Sequence, residues 1–177
     1  MTTMLRTFYA AFLTILLAGY GESTQFAGSE VTSGADTPRF EDMPVAEKFN
    51  GRPAPVKLST AEARRYRTVI RQGAREGPNF AGHYTIVTWG CGTGCVQFAI
   101  VDAKTGALYS PRFYVVARVH FDEETQQPDE PLQFRIDSKL LIVSGSPNEK
   151  NEGIYYYSWD GKRLALIKSA AFKKPQE

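Results

Sequence analysis

With only two cysteines and two histidines in 177 residues, the chain holds at most one internal disulfide and few soft metal ligands. It has no uninterrupted apolar run of about twenty residues, so nothing in it reads as a stable transmembrane helix. It also lacks an excess of one charge: 21 Lys and Arg face 19 Asp and Glu, a formal net charge of +2. A balance that close to neutral gives no electrostatic case for nucleic acid as a partner. No repeat of fixed period emerges, which excludes solenoid architectures. Gly90 to Gly94 is glycine-rich, but it lacks the Gly-Lys-Ser/Thr ending and the following helix that make a phosphate loop.

The first 23 residues carry Arg6, then an apolar core from Phe8 to Ala18 of about eleven residues, then small residues. That order is the secretory signal pattern, and the spacing around Gly21-Glu22-Ser23 places the cleavage site there. Leu17-Ala18-Gly19 is similar to the bacterial lipoprotein box, but Tyr20 stands where the acylated cysteine would be and has no thiol to modify. Removing residues 1–23 takes away Arg6 and Glu22, one charge of each sign, so the net charge stays +2. Residues 24–40 are rich in Gly, Ser, Thr and Asp and short of aliphatic clusters, and they read as a flexible linker. Residues 41–172 have the size of one domain, and 173–177, with Lys173 and Lys174, read as a tail.

One convincing helix is predicted, from Ser59 to Gly73. Ser59 stands three residues before Glu62, in capping-box spacing, and Gly73 supplies a stop. Ala63, Tyr66, Val69 and Ile70 form one apolar stripe, while Arg64, Arg65, Arg67 and Arg71 lie outside it or at its margin. After Gly77-Pro78 the period becomes two. The runs His83 to Trp89, Val96 to Asp102, Phe113 to Val119, Leu132 to Asp137, Leu140 to Ser144, Ile154 to Trp159 and Arg163 to Lys168 read as strands. Asp160-Gly161 is a tight-turn pair. The expected class is α+β, with one N-terminal helix packed on a dominant antiparallel sheet of about seven strands, arranged as a meander or small sandwich. Tyr155, Tyr157 and Trp159 share one side of a strand and Tyr156 the other, which raises the prospect of an exposed aromatic strip. The acidic stretch Asp122 to Glu124 with Asp129 and Glu130 reads as a solvated loop.

Chemistry concentrates in Asn79 to Cys95, NFAGHYTIVTWGCGTGC. In an oxidising compartment Cys91 and Cys95 are most simply a disulfide, and Gly92 and Gly94 permit the sharp turn that so short a bridge needs. A redox pair would have Cys-x-x-Cys spacing at a helix start, whereas here three residues intervene. A zinc or copper site would draw on His83, Cys91, Cys95 and His120. A Cys-His nucleophile pair would use His83 with Cys91, and only with the bridge absent.

Asn79-Phe-Ala-Gly-His-Tyr84, Trp89-Gly-Cys-Gly-Thr-Gly-Cys95 and Ile100-Val-Asp-x-x-Thr-Gly106 together resemble a group of small uncharacterised bacterial secreted proteins and lipoproteins. The resemblance covers roughly residues 78 to 110. It implies export and a single domain and carries no activity, substrate or cofactor; Tyr20 departs from the lipid-anchored members.

The reading is a small exported envelope protein, periplasmic or secreted. It acts as a non-enzymatic binding or inhibitory module that presents the disulfide-closed loop to an envelope protein or glycan. The candidate contact residues are His83, Trp89, Gly92, Thr93 and Gly94, with no catalytic residue, resident metal or cofactor assigned. The alternative is a metal- or thiol-dependent enzyme using His83 with Cys91 and Cys95.

Overall fold

The computed structural model describes residues 37–111, 113–116 and 130–172. The leader, most of the linker, His120, the acidic stretch up to Asp129 and the tail lie outside them. The described chain is mostly β, with antiparallel pairing throughout. A single turn of 3-10 helix, Phe40–Asp42, is followed by α1 (Ala61–Arg65) and α2 (Arg67–Arg75). Eight strands follow: β1 (Tyr84–Gly92), β2 (Cys95–Asp102), β3 (Leu108–Tyr109), β4 (Val115–Val116), β5 (Leu132–Phe134), β6 (Leu140–Pro147), β7 (Gly153–Trp159) and β8 (Leu164–Ala171).

The strands make two sheets. Strands β1, β2 and β3 form one, and β5, β6, β7 and β8 the other. Two-residue β4 bonds to Cys95 and Val96 of β2 on one side and to Ser146 and Pro147 of β6 on the other, and so joins the sheets at one corner. Alternation decides which side chains meet between them. Tyr84, Ile86, Phe98 and Ile100 point from the first sheet into the same core as Leu141, Val143, Tyr157 and Trp159 from the second. The opposite face of the first sheet offers Val87 and Val101 to Ile70 and Ala74 of α2. The helical stripe read from the sequence is therefore the face that packs, although half-buried Tyr66 and Val69 lie at its margin.

The helical region differs from expectation at both ends and in the middle. It is two short helices broken at Tyr66, whose φ and ψ of −99° and 19° leave the helical well. Thr60, not Ser59, is the cap: its side-chain oxygen accepts from the Ala63 amide at 3.0 Å. Gly73 does not stop α2. It sits inside the helix, where a Cβ would lie 2.7 Å from the Val87 side chain, so its missing side chain is what lets the helix approach β1. The left-handed stop belongs to Gly77, at φ +96°, just past the C-cap Glu76. Of the expected strand Phe113 to Val119, the described part pairs only at Val115–Val116. Leu132 to Asp137 shortens to β5, while the last strand extends to Ala171. The aromatic strip on β7 is not exposed. Tyr156 and Tyr157 are both buried, and Tyr155 packs half-buried against the core.

The stretch Asn79-Phe-Ala-Gly-His is a built corner. The Asn79 side chain donates to the Ile86 carbonyl at 3.1 Å and accepts from the Ile86 amide at 2.7 Å, taking the place of a neighbouring strand along the edge of β1. Phe80 is completely buried. Ala81 and Gly82 then turn the chain with φ of 43° and 83°. At Gly82 a Cβ would strike the Glu47 carbonyl, so only glycine fits.

Candidate binding cleft beside the disulfide hairpin

Strands β1 and β2 form a hairpin whose tip is closed by a Cys91–Cys95 disulfide, with Cα atoms 5.0 Å apart. Pairing runs regularly from Tyr84 opposite Asp102 to Gly90 opposite Val96 and then slips, so that Gly92 faces Cys95. The turn needs its glycines: φ is 146° at Gly92 and 66° at Gly94, values that disfavour a side chain. Gly90 through Gly94 are exposed. Thr93 therefore sits at the end of a stiff, projecting tip. Opening the bridge with Cys91→Ser and Cys95→Ser together should cost on the order of 2 kcal/mol or less, because the closed loop is so short. Chemical denaturation should show that small shift while Trp89 fluorescence changes and far-UV circular dichroism does not.

Trp89 lies at the base of this tip, opposite Gln97 in the register. Its indole is fixed twice. Nε1 donates to Gln97 Oε1 at 2.9 Å, and the ring packs against Tyr66 with centroids 5.0 Å apart and planes tilted by 31°. The break between α1 and α2 is what brings Tyr66 here. Beside the pair opens a cleft of about 300 Å³ with Phe113 and Tyr114 along its far side and Glu62, Gln97 and Asn148 on its walls.

The cleft exists because the strand opposite β2 is interrupted. Tyr109 pairs with Ile100 and Val115 with Val96, so five positions, 110 to 114, stand opposite three, 97 to 99. Pro111 lies within that segment, where its missing amide costs no ladder bond. Asn148 holds the far wall: its Oδ1 accepts from the Tyr114 amide at 3.2 Å, and its own amide donates to the Tyr114 carbonyl at 3.0 Å. Asn148 and Glu149 stand in the left-handed region, at φ 51° and 56°. Glu149 Oε1 accepts from the Tyr114 hydroxyl at 3.1 Å, and that bond raises the phenol's pKa.

His83 is not part of this site. It precedes β1, whereas Cys91 lies near the other end of the same strand, on the order of 25 Å away at ~3.3 Å per residue. The histidine packs against Tyr84 with centroids 4.1 Å apart and planes tilted by 34°, and approaches Asp102 to 4.0 Å, too far for a hydrogen bond. The Asp102 carboxylate is instead engaged in the following turn, accepting from the Lys104 amide at 2.8 Å and the Thr105 hydroxyl at 2.7 Å. The four-ligand set of His83, His120, Cys91 and Cys95 is not brought together either: the two sulfurs are bonded to each other, and His120 lies outside the described residues. Among the described residues no group of three or more His, Cys, Asp and Glu side chains is clustered as metal ligands would be.

Burial lowers the His83 pKa, and this outweighs the opposing pull of Asp102. With the folded-state pKa below the unfolded value of about 6.5, the unfolded chain binds the proton first as pH falls. Stability contributed by neutral His83 is thus present above pH ~6.5 and is lost on acidification through that value. Denaturation midpoints of the wild type and His83→Gln, compared between pH ~7.5 and ~5, should show the wild type losing more on acidification.

Sequence reasoning singled out Trp89, which lines this cleft, but did not place Tyr66, Gln97, Phe113, Tyr114 or Asn148 beside it. The strongest available signal was the capped, aromatic-bearing helix, yet nothing local says where Tyr66 lands. Among the described residues no helix is long and apolar enough to cross a membrane. Comparisons of the chain with protein-family models, with curated proteins and with solved structures found no match.

Proposed function

We propose that this chain is an exported, non-enzymatic binding module that takes a saccharide in the cleft at the base of its disulfide-closed hairpin. The observation that carries the reading is the fixed Trp89–Tyr66 pair opening onto side-chain carboxylate and amide groups in one concavity. Sugar rings have apolar C–H faces that lie against aromatic faces, and equatorial hydroxyls that pair with carboxylates and amides. The cleft volume falls at the lower end of the ~300–1,000 Å³ range typical of small-molecule sites, which suits one or two sugar units and leaves the rest of a glycan to run along the projecting tip. The disulfide supports the exported setting, since such bonds persist in oxidising compartments.

Calorimetric titration of the full chain with triacetylchitotriose, and separately with cellotriose, tests this. Saturable binding of either sugar, weakened about tenfold or more by Trp89→Ala as expected for loss of a stacking platform, supports the reading. Absence of binding to both at millimolar concentration contradicts it. A partner captured through the tip residue Thr93, with the cleft indifferent to sugars, would replace the glycan with a protein. Intact mass of the isolated protein addresses export: an N-terminus between Tyr20 and Gly28 without lipid is expected, and an intact Met1 on a cytoplasmic protein would overturn it.

A further inference from the structure

A second concavity lies on the other flank of α2, between that helix and the extended segment that precedes α1. It measures about 870 Å³; Arg52, Arg71 and Arg75 stand around it, and Pro53, Val56 and Ala74 line its apolar part. Arg71 and Arg75 are four residues apart on α2 and so share one face of the helix, while Arg52 comes from the opposite wall.

These three arginines differ from the other described arginines. Arg39 pairs with Asp42, Arg135 with Glu41 and Asp137, and Arg163 with Asp160. Arg64 donates to the Leu58 and Ser59 carbonyls, Arg67 donates to the Arg64 carbonyl, and Arg65 lies over the Tyr66 ring. Arg52, Arg71 and Arg75 make no such contact among the described residues. Among the described arginines, the three without such a partner are therefore the ones gathered around a single cleft.

Both walls of that cleft are held in place. The Ala54 amide donates to the Ala103 carbonyl and the Lys57 amide to the Gly106 carbonyl, each at 2.8 Å, which ties the segment to the β2–β3 turn. Gly106, at φ +73°, has no room for a Cβ against the Pro55 carbonyl. On the other wall, Gly73 seats α2 directly on Val87. The arginines thus project from backbone that is already fixed, which lowers the ordering cost of binding.

We infer that this cleft binds a phosphate-bearing ligand, its phosphate held by Arg52, Arg71 and Arg75 and its less polar part seated over Pro53, Val56 and Ala74. Guanidinium forks match phosphate oxygens in pairs, and three positive charges suit a group carrying about −1.5 to −2 better than a single carboxylate. A solvated helix face would account for Arg71 and Arg75 alone, but not for the third unpaired arginine on the opposite wall. The inference does not rest on the Trp89 cleft.

The ligand's phosphate could come from a soluble ester or from a phospholipid headgroup, so the test has two arms. The full chain is titrated calorimetrically with inorganic pyrophosphate, with acetate as the carboxylate control, and is floated with phosphatidylcholine vesicles with and without phosphatidylglycerol. Saturable pyrophosphate binding that exceeds acetate binding assigns a soluble phosphate; flotation only with phosphatidylglycerol assigns the headgroup. In either case the variant R52Q/R71Q/R75Q should bind about tenfold more weakly or worse, whereas the charge-matched K48Q/K139Q/K150Q, altered at exposed positions elsewhere, should stay within about twofold. If the triple arginine variant does not fold, R52Q alone, changed on the strap and not on the helix, should still weaken binding about threefold at unchanged melting temperature. Equal loss in the lysine control, or no binding in either arm, overturns the inference.

Discussion

Phe80→Ala should cost about 3–5 kcal/mol, the range for truncating a fully buried aromatic, and leave little folded protein at physiological temperature. Phe80 is 0% exposed and is packed against the second sheet by two aromatic partners: Phe134 of β5 edge-on, and Trp159 of β7 tilted, each with centroids 6.3 Å away. It sits at the corner before β1, where the chain is held by hydrogen bonds in both directions between Phe80 and Tyr84, each at 2.9 Å. The surroundings cannot collapse onto the lost ring without moving that corner, so most of the cavity penalty should remain. Denaturant unfolding followed by tryptophan fluorescence measures the loss. A cost below about 1.5 kcal/mol, the tolerance of a volume-conserving swap, would mean the core is far more plastic than this packing implies.

Asn79→Ala should cost about 2–4 kcal/mol although it removes no apolar surface of note. The Asn79 amide serves both the donor and the acceptor of Ile86, a residue only 4% exposed, and alanine would leave both backbone groups without that partner. Each buried group so abandoned costs about 1–3 kcal/mol. Asn79→Asp separates geometry from chemistry. An aspartate can still accept from the Ile86 amide but cannot donate to its carbonyl, so it should fall between alanine and the wild type. Amide hydrogen exchange should locate the loss at Ile86. Protection there that survives Asn79→Ala would show that water or a neighbouring segment already serves this edge.

Those two residues explain why the stretch from Asn79 stood out in the sequence without declaring a ligand. It is a fold-defining corner, and Asn79, Phe80 and Gly82 are set by an edge, a core and a close backbone approach. The strands that become β1, β2, β6 and β7 were legible because alternation or β-branched runs extend over seven to nine residues there. Strand β3 was not, since two residues carry no period and pair only because β2 is already in place, and of the expected strand Phe113 to Val119 only Val115 and Val116 pair among the described residues, as β4. Helix capping was off by one residue because Ser59 and Thr60 are both good caps, and only the geometry selects the hydroxyl that reaches Ala63. Both clefts were invisible for a common reason: each joins residues far apart in sequence, Tyr66 with Trp89 and Asn148 in one, Arg52 with Arg71 and Arg75 in the other.

His83 illustrates the opposite error. Nearness in sequence to Cys91 suggested a shared site, but an extended strand carries neighbours away from each other at ~3.3 Å per residue. The two ends of β1 consequently serve different structures, a core corner at Tyr84 and a projecting hairpin tip at Gly92.

The central claim, that the Trp89 cleft and the disulfide tip form one binding site, is tested most directly by amide chemical-shift mapping of the full chain with triacetylchitotriose and cellotriose. The account predicts saturable shifts clustered at Glu62, Tyr66, Trp89 to Gln97 and Asn148, with the Cys91→Ser, Cys95→Ser double variant weakening the response while the sheet resonances stay in place. Shifts scattered over the surface, or centred near His83 with the cleft silent, would contradict it.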